Sequence, residues 1–236
     1  MKNELIFEGN EKKIFATDHP HQVVVHYTDV TVAYSNVKRA RLRRKGIFSN
    51  KISAFLLGYL NSCGIPTHFI QLLDEREQLC RKIELIPLEM VVHYRMCGTL
   101  AGKLGVEDGF KPSNTIVDLC YNNDALGDPL VNSDQAVALG IVSYEELEKM
   151  FSRARKAAEL LKELLHKTGI ELVDAKFEFG RSTETGEIII SDEISPDTCR
   201  MWDEETGERL DKDRFRLDLG DVIPAYSKVL EKLETL

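Results

Sequence analysis

The sequence predicts an α+β fold in two parts, a β-rich first part over 1–85 and a larger α+β part over 86–236. Three observations carry that expectation. Short β-branched runs punctuated by turns fill most of the first ninety positions. One long amphipathic pattern follows a capping signal at Ser143. A strictly alternating run, Leu172–Phe179, is followed by the apolar run Ile188-Ile189-Ile190.

The elements are expected in the following order. Leu5–Phe7 and Lys13–Ala16 read as strands joined by the turn Glu8-Gly9-Asn10-Glu11, and Val23-Val24-Val25 before His26 reads as a third. A helix is expected after Ser49-Asn50, because Ile52, Phe55, Leu56, Tyr59 and Leu60 recur at helical spacing, and Gly64 and Pro66 end it. His68–Leu73, Gln78–Glu84 and Pro87–Val92 read as further strands. Ser143 with Glu146 has capping-box spacing. The stripe Leu147, Met150, Phe151, Ala154, Ala158, Leu161 and Leu165 then predicts a helix of about 35 Å that ends before Gly169. Val222, Tyr226, Val229, Leu230 and Leu233 mark a last helix.

Composition excludes several classes. With 43% hydrophobic and 30% charged residues the chain reads as globular, and no apolar run approaches the roughly 20 residues of a membrane span. MKNELIFEGNEKK lacks an apolar core for secretion, so the cytoplasm is expected. Five scattered cysteines, none in a C-x-x-C pair, indicate neither a zinc site nor a disulfide framework. A net charge of −8 argues against nucleic-acid binding. One stretch runs the other way. Lys38, Arg39, Arg41, Arg43, Arg44 and Lys45 crowd together, either as a solvated charge run or as a basic lip over an anionic ligand.

The chemistry concentrates in the hairpin. Asp174, Lys176 and Glu178 share one face of the alternating strand, and the return past Gly180–Gly186 brings Asp192 near Glu178. Facing carboxylates destabilise a sheet unless a cation lies between them. Magnesium binds one or two carboxylates and completes its shell with water and phosphate. An ion-paired, solvated hairpin face fits the spacing equally. The dense charge after it, with Arg200 and Arg216 as bidentate grips for carboxylate or phosphate, favours a polyanion site.

Blocks along nearly the whole chain resemble the SAICAR synthetase family. They include LVDAKFEFG at Leu172–Gly180, IPLEMVVHYRMCGTLAGKLG at Ile86–Gly105 and SDEISPDTCRMWDEETGERLDKDRFR at Ser191–Arg216. FEGNEKKIF, RKGIFSNKIS, GIPTHF and NNDALGDPLV agree as well. The resemblance implies a two-lobed fold with ATP in the cleft between a nucleotide-binding lobe, 1–85, and a lobe carrying metal and substrate residues, 86–236. Gly9 would cover the phosphates, Lys12 would contact them, and Leu85 would line the adenine. Glu178 and Asp192 would hold Mg2+. ATP would activate the carboxylate of carboxyaminoimidazole ribonucleotide (CAIR), and the amine of L-aspartate would attack to give the succinocarboxamide, ADP and phosphate. Thr99, Arg200 and Arg216 match positions binding the ribonucleotide or aspartate, and Lys212 and Asp197 match positions around the same site. Lys12, Lys212 and Arg216 would act in catalysis. The family's habit makes a homo-oligomer the expectation.

Three of the departures fall on charged positions. Asn10 replaces a lysine of the glycine turn, His93 an arginine expected at the substrate, and Asn122 a lysine. Thr99 replaces a serine, and Tyr34-Ser35-Asn36 stands where F-N-G is common. A charged hydrogen bond is worth about 1.5–3 kcal/mol, so a related amide ligase with another acid or amine, or a non-catalytic nucleotide-binding paralogue, stands as the alternative.

Overall fold

The computed structural model describes residues 2–34 and 37–236, which places Ser35 and Asn36 of the altered F-N-G segment outside the described residues. The first stretch holds β1 (Lys2–Glu8), β2 (Lys12–Thr17), β3 (Gln22–Tyr27), β4 (Val30–Ala33), β5 (Lys38–Arg41), α1 (Lys45–Ser62), β6 (Phe69–Leu72) and β7 (Glu77–Arg81). After Lys82 come β8 (Ile83–His93), α2 (Thr99–Leu104), β9 (Ile116–Tyr121), α3 (Ser133–Ala138), α4 (Tyr144–His166), β10 (Ile170–Ser182), β11 (Ile188–Ser191), β12 (Cys199–Asp203), α5 (Asp213–Arg216) and α6 (Val222–Leu233). The α+β expectation matches this mixture of sheets and helices.

One sheet has the order β1-β2-β3-β7-β6. A second has β11-β10-β8-β9, with β12 also on β10, and β4-β5 form a separate ribbon. The larger core lies between the second sheet and the helices α1, α4 and α6, with Ile52, Leu56, Leu161, Phe177 and Val229 among its buried members. The capping box at the start of α4 forms as expected: Glu146 N donates to Ser143 Oγ at 3.2 Å, and Ser143 N to Glu146 Oε2 at 2.8 Å.

Two expectations are corrected. Helix α1 starts at Lys45, about a turn before Ser49-Asn50. Arg44 enters it at φ 73, and Asp29 Oδ1, distant in sequence, accepts the N–H of Gly46 at 3.1 Å. A Cβ at Gly46 would lie 2.6 Å from the carbonyls of Tyr27 and Thr28, so glycine lets the first turn press against the end of β3. The strand expected from Pro87 belongs to β8, which begins at Ile83. Its register with β10 slips between Glu178↔Glu89 and Phe179↔Ile86, and that irregularity accommodates Pro87 inside a sheet.

What positions the site is the length of β10. Its last residues pair with β11 (Glu178↔Ser191 to Arg181↔Ile188), and its first residues pair with β12 (Ile170↔Asp203 to Ala175↔Cys199). Between those partners the chain from Asp192 to Thr198 leaves the sheet and returns, bringing its carboxylates to Lys12, Lys45 and Lys212 and the Thr198 carbonyl to Lys176 N at 2.9 Å.

Candidate active site

A cleft between the two large sheets holds two joined compartments. The first, about 530 Å³, has an apolar wall of Ile14, Val23, Val25, Ile83 and Leu85 and a polar end at Gly9, Lys12, Glu178 and Asp192. The second, about 310 Å³, is lined by Asp174, Asp197, Arg200, Lys212 and Arg216. Glu11, Lys12, Glu89, Asp128, Lys176 and Asp192 line both.

Two ammonium groups meet four carboxylates at that junction. Lys12 Nζ reaches across the cleft to Asp192 and lies 2.8 Å from Glu193 Oε1. Lys176 Nζ lies 2.7 Å from Glu178 Oε1 and 3.0 Å from Glu89 Oε2. Burial works against the Asp192 carboxylate, but Lys12 and Lys176 outweigh it and hold its pKa down at about 2. For Glu178 burial dominates and pushes the pKa up. Asp192 also sits in the left-handed region, φ 59. Such strain costs on the order of 1–3 kcal/mol and clusters at functional sites.

The like-charge opposition expected of Glu178 and Asp192 belongs to another pair. Glu178 stands directly opposite Glu89 of β8, while its partner on β11 is Ser191 and Asp192 lies just beyond that strand.

Around the second compartment Arg200 is held on two sides. Its Nη1 donates to Asp174 Oδ2 at 2.6 Å and its Nε to Asp213 Oδ2 at 2.7 Å. Arg216 Nη1 donates to Asp213 Oδ1 at 2.6 Å, and Lys212 Nζ to Glu11 Oε1 at 2.9 Å.

The SAICAR synthetase family model matches residues 5–233. The chain belongs to that family. A phosphoribosylaminoimidazole-succinocarboxamide synthase of Clostridium acetobutylicum is 45% identical over 232 residues, 98% of each chain. The crystal structure of the synthase of that name from Ehrlichia chaffeensis superimposes with a TM-score of 0.96 at 43% identity, covering 99% of both chains. A SAICAR synthetase (type 2) in complex with ADP superimposes at 0.94 with 39% identity, covering 99% of this chain and 98% of that one.

Within the SAICAR synthetase fold, the residues singled out from sequence do not all meet. Gly9, Lys12, Leu85, Glu178 and Asp192 line the first compartment, and Asp197, Arg200, Lys212 and Arg216 the second. Asn10 and Asn122 line the first compartment, so those altered positions are on the side of the apolar slot. Thr99 lines neither. It follows Gly98, whose Cβ position is 2.8 Å from Arg200 Nη2. His93 lines neither as well. It is 5% exposed, its ring lying between Asp118 Oδ2 at 3.3 Å and Asp174 Oδ2 at 3.6 Å. These are ion-pair contacts rather than aligned hydrogen bonds. Asp197 is spent largely on the protein, with Lys45 Nζ at 2.8 Å, Ser49 Oγ at 2.7 Å and Tyr226 OH at 3.1 Å.

The basic run divides. Lys45 is buried on Asp197, and Lys38 donates to the Phe215 carbonyl and Asp218, both at 2.6 Å. Arg39 reaches Asn10 Oδ1 at 3.4 Å. Arg41, Arg43 and Arg44 surround a separate hollow with Asp29 and Arg76.

Glu89, Glu193 and Ser191 were not legible as site residues. Glu89 was hidden in an apolar run, and Ser191 is a small residue before an aspartate. Ser191 is buried and lines the first compartment, and among the described residues its Oγ has no hydrogen-bond partner.

The donors at the junction suit magnesium. Glu178 and Asp192 offer hard carboxylate oxygens, and the Cys199 thiol on the wall of the second compartment is kept protonated by burial. Among the described residues no group of three or more His, Cys, Asp or Glu is placed to hold a metal ion.

Proposed function

We propose that this chain joins CAIR to L-aspartate with ATP, giving the succinocarboxamide, ADP and phosphate. The observation that supports this best is the junction itself. An apolar slot for a base opens onto paired lysines and carboxylates, and these open in turn onto a pocket walled by arginine and lysine. That order supports a polyphosphate lying between a purine and an anionic acid.

On this reading residues 1–85 form the nucleotide-binding lobe and 86–236 carry the metal and substrate residues. Gly9 lets the backbone approach the phosphates, Leu85 lines the base, and Lys12 turns from Asp192 to the transferring phosphoryl group. Mg2+, held by Glu178 and Asp192, would neutralise the phosphate oxygens. The CAIR carboxylate takes the γ-phosphoryl group as the bond to ADP breaks. The aspartate amine then attacks the acyl carbon, phosphate leaves, and the nitrogen gives up a proton. Arg200, Arg216 and Lys212 hold the anionic substrates, with Lys12, Lys212 and Arg216 neutralising the charge that develops in transfer. Asp197 anchors Lys212, Nζ to Oδ1 at 3.7 Å, and Thr99 follows Gly98, which lies close against Arg200.

The reading includes a cytoplasmic protein with neither nucleic-acid nor membrane partners. Among the described residues no helix is long and apolar enough to cross a membrane. It also includes a homo-oligomer, favoured by Leu5, Ile6 and Phe7 exposed along the edge strand β1. Sedimentation of the purified chain as a monomer would remove that part.

Purified protein with ATP, Mg2+, CAIR and aspartate should release ADP and the succinocarboxamide in equal amounts. ADP released only with another acid or amine would overturn the substrate assignment. Nucleotide binding without turnover of any mixture would overturn the ligase assignment.

A further inference from the structure

We propose that His93 is a positioning residue, an imidazolium clamped between Asp118 and Asp174 that holds Asp174 where it aims Arg200 into the second compartment. The inference rests on the reading of Arg200 as a substrate contact.

The geometry is a line of alternating charge through the second sheet. Asp118 of β9, His93 of β8, Asp174 of β10 and Arg200 of β12 come from four neighbouring strands, and the line continues to Asp213 and Arg216. His93 and Asp174 are direct cross-strand partners. Asp174 is almost fully enclosed, with both oxygens committed. Oδ1 accepts the Arg200 N–H at 3.2 Å, and Oδ2 takes Arg200 Nη1 and faces His93 Nδ1. Among the described residues Asp118 has no other ion-pair partner.

Protonation decides whether this line holds. An imidazolium presents an N–H to each carboxylate, whereas a neutral ring presents one N–H and one lone pair. Neutral His93 therefore turns a lone pair on Asp118 or Asp174, inside a site with little water to screen the repulsion. Asp174 is the member attached to the substrate wall, so its displacement moves Arg200. His93 thus acts from behind the wall, where contact with substrate is closed to it.

The surroundings keep the ring charged over the neutral range. Burial alone would lower its pKa, but Asp118 and Asp174 outweigh burial and raise it to about 9. The groups facing it are Asp118 from β9 and Asp174 from β10, with Arg200 reaching it only through Asp174. The Cys97 and Cys199 thiols near Asp174 are both pushed up to about 12 by burial, so they stay uncharged through this window. With its pKa raised to about 9, the ring keeps the clamp charged through the neutral range and loses it as pH rises through about 9.

The test compares wild type with His93→Gln and His93→Arg, reading KM and kcat separately for CAIR and aspartate. For His93→Gln we expect KM for at least one anionic substrate to rise about tenfold near neutral pH, as for loss of a charged contact. We expect kcat and ADP affinity to change less than about threefold. Wild-type KM should rise between about pH 8 and 10, and His93→Arg, charged throughout, should abolish that rise. Unchanged KM in His93→Gln, or an alkaline rise that persists in His93→Arg, overturns the proposal. A substrate-free readout separates this from failure of the functional reading: the Arg200 Nε–H resonance should shift as the His93 ring titrates. A ring that titrates while Arg200 stays still overturns the proposal whatever the enzyme makes.

Discussion

Lys12 and Asp192, separated by 180 positions in the chain, form an ion pair across the cleft, and Glu193 supplies a second carboxylate to the same ammonium at 2.8 Å. Lys12 comes from the first sheet and Asp192 lies just beyond β11 of the second. The lysine expected to meet phosphate thus neutralises the aspartate expected to hold metal. Burial opposes the Lys12 charge, yet these carboxylates hold its pKa well above the usual lysine value.

That pairing makes metal and lysine competitors. In Lys12→Met, Asp192 is freed, and Mn2+ alone should bind about threefold to tenfold tighter by EPR of the free ion. Turnover should fall about 10²–10³-fold, the scale for removing one preorganised contact to developing charge. Unchanged Mn2+ affinity would show that the ion pair does not gate the metal.

Glu178 separates stability from function. Burial pushes its carboxyl pKa up, so holding the charged form costs the fold energy that a ligand would recover. Lys176 retains Glu89 at 3.0 Å if Glu178 is neutralised. Glu178→Gln should therefore keep the unfolding free energy within about 1 kcal/mol while turnover drops by about three orders of magnitude. Full turnover would remove Glu178 from the metal site.

The contrast between hairpin and substrate wall shows what a sequence can carry. Alternation put Asp174, Lys176 and Glu178 on one face, and local spacing sufficed because a strand repeats every two residues. Neither Glu89 opposite Glu178 nor Asp118 beside His93 was readable, because both depend on which strands become neighbours and in what register. Lys45 was concealed similarly. A lysine in a basic run reads as solvated, and only the fold brings Asp197 to within 2.8 Å of it. Helix α4 was legible almost to its ends because its cap and its apolar stripe are both local.

Ser191 should matter to nucleotide affinity. A buried hydroxyl without a partner, on the wall of the first compartment, becomes satisfied when a polar ligand enters. Ser191→Ala should weaken ADP binding by calorimetry about fivefold to tenfold, the worth of a neutral hydrogen bond near 1 kcal/mol. Equal affinity would mean that its hydroxyl does not meet the nucleotide.

Asp197 holds Lys45, Ser49 and Tyr226 together beneath the second compartment. Asp197→Asn leaves the Lys45 ammonium to Glu11 at 3.6 Å. Removing the nearest partner of a buried charge costs about 3–5 kcal/mol, so Tm should fall by about 10 °C. A fall below about 2 °C in calorimetry, with activity lost, would make Asp197 chiefly a substrate contact.

His68 gives the fold an acid limit of its own. It is buried on the wall of the first compartment, with Cys80 Sγ at 3.9 Å from Nε2, and burial lowers its pKa from 6.5 to about 4. The folded protein therefore binds this proton more weakly than the unfolded chain does. Stability from the neutral ring is present above about 6.5 and lost as pH falls toward 4. Asp174, held down at about 2 by Arg200 and His93 against burial, adds its own loss only below the ordinary aspartate value of about 3.9. Between about pH 7 and 4.5, wild type should lose up to about 2.5 kcal/mol more unfolding free energy than His68→Gln, by urea denaturation at each pH. Parallel losses in the two proteins would assign the acid sensitivity to the carboxylates instead.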